Sequence, residues 1–230
     1  MKEMTVDMLV AGSGAAGLTA AVTERKAGLD VLIVEKEAVF GGTTATSGGV
    51  LWVPGNHHSP KVQAATGERD DMDNALAYLI EETGNYIERD RVDAYLQAAP
   101  RMVRFLEDNT EVKFYGMDYP DYHSESTHSS TVRSLGTVDY EARRLGKHLK
   151  QLKNQLPQTL FLGFAVGSGV EMIQFMKAGR SVKALGFVLK KLFKHGLDVL
   201  RYGEGQQVVR GRALIAQLAH SLFEMNTPLW

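Results

Sequence analysis

Six residues near the start of the chain limit what the first fifty can become. Gly12-Ser13-Gly14-Ala15-Ala16-Gly17 is a G-x-G-x-x-G run. An apolar segment, 6–11, precedes it. An alanine-rich segment of helical character, 15–26, follows and ends at Gly28. A second apolar segment then covers 31–35. The pattern predicts strand, helix and strand within about thirty residues, a βαβ unit with parallel neighbouring strands. In such a unit the first glycine permits the tight turn and the second lets a diphosphate approach the backbone. The third, with Ala21 four residues on, lets the helix lie close to the sheet. The helix start offers amide groups and a partial positive charge. Gly12, Ser13, Gly14, Ala15, Ala16 and Gly17 are therefore expected to form a phosphate cradle. Glu35, eighteen residues past Gly17, ends the second strand. A carboxylate there accepts ribose hydroxyls and repels a 2′-phosphate, an effect that the neighbouring Lys36 softens.

A second glycine-rich stretch occupies 40–55. Gly41-Gly42-Thr43-Thr44-Ala45-Thr46-Ser47-Gly48-Gly49 begins six residues past Glu35. Regular helix or strand is not expected throughout it. A nicotinamide dinucleotide needs no second glycine loop here, whereas a flavin dinucleotide reaches beyond the first cradle. Gly41 and Gly42 free the backbone for close approach, and Thr43 and Thr44 offer hydroxyls to phosphate. Ser47, Gly48 and Gly49 are placed to reach the flavin ring. FAD is the expected cofactor.

Together, 12–21, Glu35-Lys36 and 40–56 resemble the fumarate reductase/succinate dehydrogenase flavoprotein superfamily. Within it the likeness is to 3-ketosteroid delta-1-dehydrogenases and their relatives. Gly48-Gly49-Val50-Leu51-Trp52-Val53-Pro54-Gly55-Asn56 carries most of it, and Gly211-Arg212-Ala213-Leu214-Ile215-Ala216-Gln217-Leu218 extends it. The resemblance implies an α/β fold: a Rossmann-like FAD-binding βαβ unit with a largely helical extension, incomplete at the C-terminus. Residues 1–230 are then the N-terminal part of an FAD-binding domain, with 1–56 as the cradle and 57–230 as a mostly helical remainder. Family members continue well past this length, so the chain is expected to be truncated and to lack a substrate-capping domain. The implied chemistry is dehydrogenation of a carbon–carbon bond beside a ketone. A base removes the acidic proton and the flavin N5 takes a hydride. The implied substrate is a ketosteroid or similar small apolar cyclic ketone; the electron acceptor is not specified. In these relatives an active-site tyrosine lies in a segment matching Tyr119-Pro120-Asp121-Tyr122-His123-Ser124. His123 takes the position of that tyrosine, with Tyr122 beside it and Tyr119 nearby, and a histidine can itself handle a proton. Two alternatives stay open: a fumarate-reductase-like flavoprotein acting on a small dicarboxylate, and a catalytically inactive FAD-binding fragment.

The remaining sequence narrows the partners. The formal net charge is -1, which gives no general pull toward nucleic acid. There are no cysteines, so thiolate metal sites, disulfides and cysteine nucleophiles are excluded. The start Met1-Lys2-Glu3-Met4-Thr5-Val6-Asp7 carries acids and no apolar core of signal-peptide length, and the apolar run 160–170 is too short to span a bilayer, so a cytoplasmic location is expected. Helices are predicted over 71–83, 91–109 (with Pro100 as a kink), 170–176, 182–200 and 211–223. An irregular segment is predicted over 115–134, and a strand beginning at Pro228-Leu229-Trp230. Leu185, Leu189, Leu192, Phe193 and Leu200 share one face of 182–200. A buried stripe is the favoured reading of that face, and association with a membrane surface the less favoured one. His57-His58 is read as structural because adjacent histidines in a strand or loop diverge and no acid is spaced to join them. Glu81-Glu82 reads as a solvated helix face. Arg133, Arg143 and Arg144 are left as possible partners of a substrate anion.

Overall fold

The computed structural model describes residues 4–161 and 163–230. Met1–Glu3, Leu162 and the side chain of Val170 lie outside that description, and with them part of the start segment 1–7 and part of the apolar run 160–170. In chain order the elements begin with β1 (Met8–Ala11), α1 (Ala15–Lys26), β2 (Val31–Val34) and β3 (Val50–Trp52). Next come α2 (Ser59–Thr66), α3 (Met72–Thr83), α4 (Arg89–Asn109), β4 (Phe114–Gly116) and β5 (Ser134–Thr137). The chain continues with β6 (Tyr140–Glu141), β7 (Leu160–Phe161), β8 (Phe164–Ala165), α5 (Val170–Lys177), α6 (Val182–Tyr202), β9 (Gln207–Val208) and α7 (Arg210–Glu224). They form two compact units. One comprises Met1–Gly49, Thr110–Val112 and Thr137–Trp230; the other comprises Val50–Asn109 and Lys113–Gly136.

The first unit contains the expected βαβ. β1 and β2 pair in parallel, from Met8 opposite Val31 to Ala11 opposite Val34. The expected strand start at 2 residues before Met8 is not seen, and β2 stops at Val34, leaving Glu35 just past its end. The last residues of the chain add a third parallel segment on the other side of β2. Ile33 donates to Pro228 O at 3.0 Å, Trp230 to Ile33 O at 2.9 Å, and Glu35 to Trp230 O at 2.7 Å. The strand expected at 228–230 is thus present as a bridge, and it holds the backbone amide of Glu35.

Helix α7 is the centre of this unit. Ala213, Leu214, Ile215, Ala216, Leu218, Ala219 and Leu222 are all buried, so the helix is enclosed on most sides. It packs on α1 and on the short 3₁₀ turn Thr44–Thr46. At its start the contact is backbone on backbone. A Cβ on Gly211 would lie 2.0 Å from Thr44 O and 2.4 Å from Ser47 Oγ, and a Cβ on Gly49 would lie 2.2 Å from the Gly211 nitrogen.

The second unit combines an antiparallel sheet of order β3–β5–β4 with α2, α3 and α4. Asp71 caps α3 by accepting from Asn74 N at 2.8 Å. Leu96, Ala99, Val103 and Leu106 of α4 face the core, and Pro100 sits inside that helix without ending it. The sequence reading missed α2 and the strands β3 to β9. α2 offers only Val62 as a large apolar residue, and these strands of two to four residues lack the continuous apolar run that marks β1 and β2.

The face of α6 departs from its favoured reading. Leu185, Leu189, Phe193 and Leu200 are exposed, Leu200 at 86%, whereas the buried residues are Ala184 and Val188. α5 packs against α6. Among the described residues no helix is long and apolar enough to cross a membrane.

Gly211→Ala forces a methyl group into the Thr44 carbonyl, so α7 or the 44–47 turn must shift. Calorimetry is expected to show a destabilisation of about 1–3 kcal/mol, in the range of core overpacking. An unchanged melting temperature would show that the helix start is not packed this way.

Candidate functional site

The turn between β1 and α1 is built by steric necessity. Gly12 has φ +99°, a conformation that side chains rarely adopt. A Cβ on Gly17 would lie 2.1 Å from Gly12 O and 3.3 Å from Val10 Cγ1, so the first turn of α1 rests on the loop that precedes it. Gly14 caps α1 without a side chain, and no acid stands in its first turn. The helix start thus keeps its positive end for another group.

Ser13 ties this turn to two others. It is fully buried. Its amide donates to Glu35 Oε2 at 2.9 Å and its hydroxyl donates to the same oxygen. The hydroxyl oxygen also accepts from Gly41 N at 3.0 Å. The second glycine loop is held further by Ala15 N donating to Thr44 Oγ1 at 3.2 Å. A Cβ on Gly42 would lie 3.4 Å from Gly14 Cα, so the two glycine loops touch. Between them and Glu35 lies a cleft of about 660 Å³ lined by Gly12, Gly14, Glu35, Gly42, Thr43 and Lys153, among others.

Of the residues expected in the cradle, Gly12, Ser13, Gly14, Glu35, Lys36, Gly42 and Thr43 line this cleft. Ala15, Gly41 and Thr44 brace it, and Ala16 and Gly17 form the start of α1. Ser47, Gly48 and Gly49 do not line it. Ser47 Oγ donates to Thr44 O at 2.8 Å, and Gly49 abuts the start of α7. Lys153 was not anticipated. The segment around it runs alongside Phe40, with Lys153 N donating to Phe40 O at 2.9 Å, and its Nζ pairs with Glu37 at 2.8 Å. No local pattern marks that lysine.

Partial burial works to raise the Glu35 carboxyl. Hydrogen bonds from the Ser13 hydroxyl and from the amides of Glu37, Ser13 and Lys36 outweigh it and hold the group below the ordinary glutamate range.

The tyrosine-bearing segment belongs to the second unit. Tyr119 N donates to Thr131 O and Asp121 N to Ser130 O, both at 2.9 Å, so the segment runs beside 130–131. Tyr119 and Tyr122 are exposed, Tyr122 at 94%. His123 Nδ1 meets Glu82 Oε1 at 2.6 Å, and the Glu82 hydrogen bond and charge raise the imidazole above its usual value. Glu81 accepts from Ser126 Oγ at 2.5 Å. Glu81 and Glu82 therefore brace this segment from an exposed helix face, as the solvated reading expected.

Arg133 explains how an irregular segment holds its shape. It is completely buried. Its NH2 group reaches Asp70 at 2.5 Å and its NH1 group reaches Asp121 Oδ2 at 2.6 Å. It also donates to His128 O at 3.0 Å and lies over the rings of Trp52 and Tyr78. Trp52 Nε1 donates to Asp121 Oδ1 at 2.7 Å. Burial raises the Asp121 carboxyl despite these bonds. Arg133 is thus committed to the fold. Arg143 and Arg144 pair with Glu141 and Glu111. The reading of His57 and His58 also changes, because both imidazoles reach Glu107 of α4.

Two outcomes are expected. Arg133→Met leaves Asp70 and Asp121 buried without their partner and lowers stability by about 3–5 kcal/mol in denaturant titration; a loss below about 1 kcal/mol would contradict a buried network. Glu35, with its lowered value, contributes stability that is present above the unfolded glutamate value of about 4.3 and is lost as pH falls through the folded value. Acid titration followed by circular dichroism should therefore be flatter for Glu35→Gln than for the parent below about pH 4.3.

Comparison with known proteins places this geometry. The family described as FAD binding domain matches residues 7–230. A 4-oxocyclohex-2-ene-1-carboxylate 5-dehydrogenase of Sinomonas cyclohexanicum is 33% identical over 100% of this chain and 38% of its own length. A 3-oxosteroid 1-dehydrogenase of Mycolicibacterium smegmatis is 32% identical over 97% of this chain and 38% of its own length. The crystal structure of 3-ketosteroid delta1-dehydrogenase from Sterolibacterium denitrificans, in complex with 1,4-androstadiene-3,17-dione, superposes with a TM-score of 0.85 at 32% identity. That match covers 98% of this chain and 40% of the crystal chain. The chain therefore spans about two fifths of the length of these relatives.

Proposed function

Because the chain belongs to the FAD binding domain family, we propose that it holds FAD for the dehydrogenation of a carbon–carbon bond beside a ketone, on a ketosteroid or a smaller cyclic ketone. The observation that carries this reading is the single cleft on which two glycine loops and Glu35 converge. The residues fit the group. The start of α1 has amides and a positive end for the diphosphate, with no acid in its first turn to repel it. Gly14 and Gly42 present bare backbone. Glu35 is held ionised and oriented, ready to accept ribose hydroxyls. Lys153, paired with Glu37, lines the same cleft. Thr43 and Thr44 offer hydroxyls, and Ser47, Gly48 and Gly49 are assigned to the ring end of the cofactor.

When bound, FAD supplies the hydride acceptor that the oxidation needs. The remaining tasks fall to side chains. Tyr119 and Tyr122 expose phenol groups on one segment, and we assign them with His123 to proton handling at the ketone. The hydrogen bond and charge of Glu82 raise the His123 imidazole above its usual value, which favours the form that donates toward a carbonyl oxygen as the neighbouring carbon gives up its proton. The names of the relatives support both substrate sizes, since one acts on a single oxidised ring and the others on a steroid. A small dicarboxylate stays the alternative substrate, and Arg133, paired with Asp70 and Asp121, is not assigned to hold it.

Purified protein mixed with FAD and freed of excess by gel filtration should retain flavin absorbance. Gly14 has room for a side chain, with Thr44 Oγ1 the nearest atom at 3.9 Å from a built Cβ. Gly14→Asp should therefore fold normally, yet weaken FAD binding at least tenfold by placing a carboxylate against the diphosphate. A parent protein that stays colourless, or a variant that binds as well as the parent, would refute the assignment.

A further inference from the structure

His57, His58 and Glu107 form a cluster of ligating groups in the second unit, apart from the glycine cleft. The rings of His57 and His58 lie 4.2 Å apart, centre to centre, tilted by 36°. His57 Nε2 is 2.7 Å and His58 Nε2 is 3.0 Å from the same oxygen, Glu107 Oε2. Two neighbouring side chains of a strand would point to opposite faces. These two do not, because they sit in a turn that leads into α2. The side-chain oxygen of the buried Asn56 accepts from His58 N at 2.9 Å and from Ser59 N at 3.1 Å. His58 itself has φ -86° and ψ -21°, which are helical values. Successive side chains are then about 100° apart, close enough for both rings to turn toward one point.

Glu107 is held in place as well. Its Oε1 accepts from Phe114 N at 2.9 Å, which leaves Oε2 directed at the two imidazoles. Partial burial raises its carboxyl, but the Phe114 amide and the two histidines outweigh this and keep it ionised. The side chains are 25% exposed for both histidines and 12% for the glutamate. His58 also lines a cleft of about 530 Å³ with Lys61, Val62, Thr66 and Tyr115.

We propose that His57, His58 and Glu107 form a binding site for a divalent transition-metal ion, with zinc as the best match. Two imidazole nitrogens and one carboxylate oxygen are a set of three ligands that zinc accepts, with a fourth position left for water. All three ligating atoms fall within 4.8 Å of one another. A tetrahedral ion at bond lengths of about 2.0–2.1 Å needs ligand atoms about 3.3 Å apart. The observed spacings of 2.7 and 3.0 Å reach that value by small side-chain rotations. The Phe114 amide on Oε1 and the Asn56 side chain on the His58 backbone supply the outer bonds that orient such ligands.

The test uses the full chain, stripped with a chelator and dialysed. Titrated with zinc chloride against a chromophoric chelator, it should bind one equivalent. Cobalt(II) added to the same protein should give the intense visible bands of a four-coordinate nitrogen–oxygen site, a readout that needs no variant. Glu107→Gln and the double variant His57→Ala/His58→Ala should each weaken zinc at least tenfold, whereas His220→Ala, in α7, should not. Circular dichroism in chelator checks that the variants fold; if one does not, the cobalt spectrum of the parent decides. Absence of a stoichiometric zinc ion, a six-coordinate cobalt spectrum, or unchanged binding in the folded variants would overturn the proposal.

Discussion

The hydrogen bonds between Ser13 and Glu35 hold the site together. Ser13 is fully buried, and a buried hydroxyl must find partners or cost stability. It finds them on two other segments: the carboxylate just past β2 and the amide of Gly41. One side chain thus fixes the β1–α1 turn, the end of the second strand and the second glycine loop relative to each other. The same bonds keep Glu35 ionised and aimed along the cleft. Without them the acid and the second loop would be left with the strand pairing and the Ala15–Thr44 bond to hold them at the turn.

Glycine works here by removing bulk at backbone contacts. Gly17 rests on Gly12, and Gly211 rests on Thr44 with Gly49 beside it. A side chain at Gly17 or Gly211 would drive a Cβ into a carbonyl oxygen. The second unit solves its own ordering problem differently. Its 117–134 region has little regular structure, so its shape depends on Arg133, which gathers Asp70, Asp121 and His128 around one guanidinium. A planar group with five donors suits this task because it satisfies several acceptors from different segments at once.

Much of the cradle was legible before any coordinates. The spacing of Gly12, Gly14, Gly17, Ala21 and Glu35 is a local code, since each position is dictated by a neighbour within one βαβ unit. Helices α1, α3, α4, α5, α6 and α7 were legible from period and caps. What escaped was long-range. Lys153 reaches the cleft from far along the chain, and Arg133 is 63 residues from Asp70. His58 is 49 residues from Glu107. No local pattern encodes such a meeting. The apolar face of α6 was legible as a stripe, but which residues of that helix would be buried was not: Ala184 and Val188 took the contact and left Leu189 and Phe193 exposed.

The sequence by itself determined the backbone: where turns need a positive φ, where a helix starts beside a strand, and which acid follows the second strand. It could do so because these choices are made among residues close in the chain, by sterics and hydrogen bonds of short reach. Only the tertiary structure decided which charges are spent on the fold and which remain free. In the sequence Arg133 read as a possible partner of a substrate anion, Glu82 as part of a solvated helix face, and Glu107 carried no signal of its own; burial and partners separate them. That separation depends on which segments pack together, and packing is settled by the whole chain at once.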